Sequence, residues 1–183
     1  MSIPFPRAAV SALALLACGA IGAAQIERLT LSEMVAKTDD SIVGKIVASK
    51  VFRVDHPVDG PDLFFTTITI QGRSLVNGVA VEVPVTFAGG FVDPQHGVHN
   101  SEAPAADEIL IGNEVVAFYK WSDNMGGDVA GNALYAAHGG LYRVVHAGTD
   151  SVALGKGPGY AIDNNWKLQD LDAEVTRLDE QPK

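Results

Sequence analysis

The chain has 183 residues, 22 of them acidic against 13 Lys and Arg, for a formal charge of −9. Such a field repels phosphate backbones and anionic lipid, which sets nucleic-acid partners aside. The one cysteine, Cys18, lies in an apolar leader, so the folded part is built without a disulfide.

The leader occupies residues 1–24. Arg7 supplies a short basic start, Ala8 to Leu16 is apolar, and Gly22-Ala23-Ala24 presents small residues ahead of a cleavage before Gln25. This predicts an exported protein, periplasmic or secreted, whose residues 25–183 form a single β-barrel domain. The alternative is a lipoprotein anchored through Cys18, because Leu15-Leu16-Ala17-Cys18 resembles the lipobox of bacterial lipoproteins. Against it stand Leu16, where a smaller residue is usual, and the apolar run from Gly19 to Ala24. Ala8 to Ala24 falls just short of a membrane-spanning helix.

A short helix follows. Thr30 and Glu33 have the spacing of a capping box, Leu29 and Met34 that of a hydrophobic staple, and Lys37 sits where the helix dipole is negative. Thr38 to Ser41 breaks the helix. Ile42 to Val54 is β-branched with period two, which places Ile42, Ile46, Ala48, Phe52 and Val54 on one face. Asp55 to Asp62 is rich in turn formers and predicts an exposed loop. Leu63 to Gln71 predicts a strand pairing with the first. Asn77-Gly78 signals a hairpin turn. In Val79 to Phe87 the odd positions are apolar and face inward, and Pro84 marks an edge or a bulge.

From Gly89 to Gly112 the pattern is irregular for longer than a compact domain ordinarily allows, so the stretch is read as functional or mobile. Glu114 to Trp121 returns to strand, and Asp123 to Asn132 is a glycine-rich turn. Ala133 to Ala137, Leu141 to His146 and Ser151 to Leu154 predict short strands, with His138-Gly139-Gly140 and Gly155-Lys156-Gly157-Pro158-Gly159 as turns. Leu168, Leu171, Val175 and Leu178 recur at helical spacing. The fold class is therefore mainly β: a small antiparallel barrel flanked by a short N-terminal helix and a C-terminal helix, with a β-sandwich as the alternative.

The order of these pieces resembles a group of small exported bacterial proteins of unknown function. The likeness rests on Leu31-Ser32-Glu33-Met34-Val35 and on Asp40-Ser41-Ile42-Val43-Gly44-Lys45-Ile46-Val47. It continues in Gly89-Gly90, Gly112-Asn113-Glu114-Val115-Val116-Ala117-Phe118 and Gly139-Gly140-Leu141-Tyr142-Arg143-Val144. The chain departs from the group at Asn113, where a charged residue is preferred, and in the extra turn from Asp123 to Asn132. The resemblance implies export and an OB-like barrel. Some members of the group accompany secreted metallopeptidases, and it implies no established activity.

Several clusters carry potential chemistry. Asp93, His96 and His99 (DPQHGVH) could face one divalent metal, although this is not the helical HExxH spacing and one loop supplies no rigid outer support. Two solvated histidines on a polar loop are the simpler account, and no other cofactor is expected. Asp123, Asn124, Asp128 and Asn132 have oxygen ligands for calcium but neither known loop spacing, and tight turns need the same residues. His138-Gly139-Gly140 resembles esterase oxyanion donors, but no G-x-S-x-G accompanies it. Gly155 to Gly159 lacks P-loop spacing, and Pro158 removes a donor. Tyr119, Trp121 and Tyr142 could form a stacking platform, for which the acidic balance removes the electrostatic partner.

With no catalytic constellation, the sequence reads as a non-enzymatic, exported binding module for a secreted or envelope protein. An accessory protein or inhibitor of a secreted metallopeptidase is the first alternative, and a loop metal-binding protein the second. Contact with a membrane would come only through lipidated Cys18.

Overall fold

A computed structural model describes residues 28–181. The leader, its cleavage point and Cys18 lie outside the described residues. The elements are α1 (Leu31–Lys37), β1 (Asp40–His56), β2 (Gly60–Ser74), β3 (Ala80–Ala88), β4 (Gly90–Asp93) and β5 (His96–Val98). They continue with β6 (Glu114–Ser122), β7 (Gly131–Leu134), a 3₁₀ turn (Ala137–Gly140), β8 (Leu141–Ala147), β9 (Asp150–Ala153), β10 (Trp166–Lys167) and α2 (Leu168–Asp179). No helix among the described residues is long and apolar enough to cross a membrane.

Five strands close into a barrel in the order β1-β2-β3-β7-β6 and back to β1. All contacts between neighbours are antiparallel except one, the parallel bridge between Thr86 of β3 and Ala133 of β7. A meander of three strands followed by a parallel closure and a return to the first strand is the OB-like arrangement. The second edge of β6 is shared: its first half pairs with β8 and its second half with β7, so β8, β9 and β10 extend the sheet beyond the barrel.

Two cores result. Inside the barrel lie Ile42, Ile46, Ile68, Ile70, Val85, Val115 and Ala117, all essentially inaccessible to solvent. Outside it, Val43, Val116, Phe118, Tyr142 and Val144 are covered by Met34 and Val35 of α1 and by Leu171 and Val175 of α2. Phe118 and Tyr142 meet edge to face, with ring centroids 6.3 Å apart. β6 is thus buried on both faces, which is why it reads as an unbroken apolar run rather than an alternation. The capping box at Thr30 and Glu33 is formed in full, and α2 is tied down by Arg73 on Asp172 at 2.7 Å and by the Thr176 hydroxyl on the Leu75 carbonyl at 3.1 Å.

The structure revises four local expectations, the first being the loop over Asp55 to Asp62, where β1 runs to His56 and β2 starts at Gly60. Ile42, Ile46, Ala48, Phe52 and Val54 do not share a face, because Val47 is an unpaired residue between the pairs Ile46–Ile70 and Ala48–Thr69. One extra residue exchanges the faces of everything that follows. After it, Ser49 and Val51 face the same way as Ile42 and Ile46, while Phe52 turns outward to stack on Phe65 at 5.7 Å. Val79 precedes β3 and is 57% exposed, so the inward run begins later. The strand predicted over Ala133 to Ala137 ends at Leu134, because Ala136 and Ala137 both take left-handed φ values of 52° to swing the chain into the 3₁₀ turn. Pro84 sits, as its chemistry requires, where its nitrogen faces away from β2.

Gly44 and Gly72 are paired directly across β1 and β2, and a Cβ at either position would overlap the backbone of the facing strand. Their absence of side chains lets the long hairpin coil tightly into the barrel wall. Gly72→Ala is expected to lose about 3 kcal/mol or more of stability, measured by urea unfolding, because the obstruction is backbone and cannot rotate away; a change within 0.5 kcal/mol, typical of a neutral surface site, would contradict this account.

Candidate functional site

The long irregular stretch from Gly89 to Gly112 folds into two parts. β4 and β5 make a small hairpin, and Gly90 lies against Thr66 and Val51 so closely that a Cβ would collide with both side chains. The segment 99–109 then crosses the mouth of the barrel, where Ala103 and Ile109 pack on the interior core. Side-chain hydrogen bonds pin it at both ends. Asn100 donates to the Ala88 carbonyl at 3.0 Å, and Asn113 donates to the carbonyls of Asp107 and Glu108 at 2.7 and 3.0 Å.

Between this crossing segment, the hairpin and the projecting inner face of β1 and β2 lies a cleft of about 840 Å³. Its apolar lining comes from Val51, Phe87, Phe91, Val98, Ala103 and Ile109. Its size and lining are those of a ligand pocket. Phe91 and Val98 are about half exposed, so the open side of the cleft presents apolar surface.

The far wall is polar and built from the two glycine-rich turns. Lys156 is 15% exposed and forms an ion pair with Glu108 at 2.7 Å. The same ammonium donates to the His138 carbonyl at 2.8 Å and lies 5.8 Å from the centre of the Tyr142 ring. The His138 backbone N–H donates to the Glu102 carbonyl at 2.8 Å, and its Nδ1 lies 3.2 Å from the same oxygen. Since a carbonyl only accepts, Nδ1 carries the proton, and Nε2 accepts from the Tyr160 hydroxyl at 2.9 Å. Glu108, Lys156, His138 and Tyr160 thus brace one another and clasp the crossing segment from outside.

Asp93 and His96 are brought together at the tip of the β4–β5 hairpin, with His96 Nδ1 2.8 Å from Asp93 Oδ2. The backbone N–H of Gln95, followed by the His96 side chain, holds the Asp93 carboxyl below its ordinary range. His99 lies apart from this pair and lines the cleft. Among the described residues no group of three His, Cys, Asp or Glu side chains is placed to hold a metal.

The acidic turn residues are each engaged otherwise. Asp123 accepts from the Trp121 indole at 2.8 Å, Asn124 accepts from the Gly126 N–H at 2.7 Å, and Asn132 donates to the Pro84 carbonyl at 3.3 Å. His56 accepts the Asp59 N–H at Nδ1, so its Nε2 donates to Asp128 at 3.2 Å. The Gly127 N–H donates to Asp59 at 2.7 Å. These bonds lay the turn 123–130 across the tip of the β1–β2 hairpin, where Gly126 and Gly127 sit on Phe65, Leu63 and Val54. OB barrels commonly bind ligands between these same two loops. Here the loops bind each other.

Tyr119, Trp121 and Tyr142 do not form a platform. Tyr119 is in the barrel interior, Tyr142 is fully buried in the outer core and Trp121 is 55% exposed. Burial raises the Tyr142 phenol to about 12, and burial with the nearby Asp40 charge raises that of Tyr119. In Gly155 to Gly159 three backbone donors are engaged within the fold: Gly155 N–H bonds to the Asn165 side chain, Lys156 N–H to the Ile162 carbonyl and Gly157 N–H to the Asp163 carbonyl. The turn is a brace and offers no cradle for an anion. In the sequence the two glycine-rich turns stand apart; the meeting of their charged and aromatic residues depends on β8, β9 and the segment 99–109 coming together.

The chain matches no protein family, no curated protein and no solved structure.

Lys156→Met leaves Glu108 without its cation at a partly buried position. A loss of about 2 kcal/mol is expected by urea unfolding, together with faster amide hydrogen exchange over 100–109. Unaltered exchange in that segment would show that the ion pair does not hold it.

Proposed function

We propose that this protein is an exported, non-enzymatic β-barrel module that binds a secreted or cell-envelope protein through the cleft at the barrel mouth. The observation that carries the reading is the cleft itself, with half-exposed Phe91 and Val98 on one side and a rigid polar brace on the other. The groups of that brace are bonded to one another and to backbone carbonyls, so they serve to shape the cleft. The leader in residues 1–24 supports export, and the resemblance to small exported bacterial proteins of OB-like form supports the same compartment. That resemblance also names a partner class, a secreted metallopeptidase, which this module would assist or inhibit.

Export has a direct check. Mass spectrometry of the protein isolated from the producing cell is expected to give a chain beginning at Gln25; a lipid-modified chain beginning at Cys18 would make it a lipoprotein, and a chain retaining Met1 would remove export from the account.

The cleft is tested by site-directed photo-crosslinking in envelope extract. A benzophenone-bearing residue at position 91, in the cleft, is expected to capture discrete partners, whereas one at position 58, on the exposed hairpin tip, is expected to capture none of them. Equal capture from both positions would sink the cleft as the binding site, and a captured metallopeptidase would select that partner class.

A further inference from the structure

The cleft is bordered by a second feature that points to how its occupant binds. β1 is paired with β2 over nearly its whole length, but its other edge is paired with β6 only from Asp40 to Lys45, and with Asn113 and Gly112 at Ile46. Beyond that point the edge is open. Ile46 directs its N–H and C=O to the β6 side, and the extra residue Val47 resets the alternation, so that Ala48, Lys50 and Phe52 face β2. Ser49, Val51 and Arg53 therefore direct their backbone groups to the open edge. Among the described residues none of these groups has a hydrogen-bond partner.

The side chains of Ser49 and Val51 line the cleft, so the open edge and the apolar walls belong to one surface. Donors and acceptors alternating in a row at strand spacing are satisfied by another backbone and by few other things. The edge is guarded against casual pairing by the bulge at Val47 and by Lys50 and Arg53. The guard is partial, since Arg53 is neutralised by Asp55 at 2.7 Å and Asp62 at 2.9 Å.

We infer that the cleft takes an extended peptide segment of the partner, which adds as a strand to β1 along Ser49, Val51 and Arg53 and places an apolar side chain at every second position against Val51, Phe91 and Ile109. The period follows from the strand: residues whose side chains face the cleft alternate with residues whose side chains face water. The inference rests on the cleft being the binding site, and it adds the chemistry of the occupant.

The test uses the purified protein and a library of acetylated peptides of about eight residues, apolar at alternate positions and polar between. Binders are expected to be enriched, and each is then N-methylated at one amide at a time. Methylation at every second amide is expected to weaken binding about tenfold, the effect of one backbone hydrogen bond left unmade, while methylation at the intervening amides leaves it unchanged. Binding indifferent to methylation at every amide would overturn strand addition. If crosslinking at position 91 still captured partners, the cleft would stand without it. Failure of the whole library to bind would also overturn the inference. So would a self-associated protein in sedimentation whose dimer occupies the edge and excludes peptide, since the occupant would then be a second copy.

Discussion

Val47 is an unpaired residue in a ladder whose side chains alternate with period two, and every residue after it is moved to the opposite face. Before the bulge, β1 gives Ile42 and Ile46 to the barrel interior and Val43 to the outer core. After it, Ser49 and Val51 continue the interior surface past the end of the barrel, where no strand opposes them. Were Val47 paired in the ladder like its neighbours, Phe52 would be aimed into the mouth and the cleft would be filled from within. With it unpaired, Phe52 stacks outward on Phe65 beneath the turn 123–130, and the mouth is left to the segment 99–109.

Closing the barrel and covering its outside are one problem, because β6 has apolar residues on both faces. Val115 and Ala117 require an interior and Val116 and Phe118 require a roof, which α1 and α2 supply through Met34, Val35, Leu171 and Val175. Each large apolar side chain buried this way contributes about 1.5–3 kcal/mol. The strands β8 and β9 complete the roof and carry the two glycine-rich turns to the barrel mouth. The brace made by Lys156, Glu108, His138 and Tyr160 is thus placed by the packing of the outer core, although it acts on the cleft.

Much of the scaffold was legible because it depends on local patterns. The capping box at Thr30 and Glu33, the apolar runs, the Asn77-Gly78 turn and the helical spacing of Leu168 to Leu178 all describe interactions within a few residues. The bulge was not legible: Ile46-Val47-Ala48 is uniformly apolar, so the alternation gives no sign of where an extra residue is inserted. Irregularity from Gly89 to Gly112 did mark the neighbourhood of the cleft, since a stretch without period two cannot be a wall of the barrel and must lie at its rim. The polar wall is illegible in the sequence for a different reason. His138 and Lys156 are eighteen residues apart, each in a turn that is ordinary by itself, and only the tertiary arrangement puts both beside Glu108.

The distribution of unmet backbone groups then separates one end of the molecule from the rest. The outer edge of β3 is bridged to β7 only at Thr86, but before that point Pro84 has no N–H to offer, its carbonyl accepts from Asn132, and Glu82 contributes a charge. The end of the β1–β2 hairpin is tied to the turn 123–130 through His56 and Asp59. On β1 the guard is the bulge with Lys50 and the ion-paired Arg53, and past the bulge come three residues with outward-facing N–H and C=O beside exposed apolar side chains. Backbone groups at such an edge bond to water while it is free, and another strand can take the place of that water while covering the apolar side chains. The edges at β3 and at the end of the β1–β2 hairpin are blunted or covered, so an occupant proposed for this one has to supply backbone and apolar side chains together.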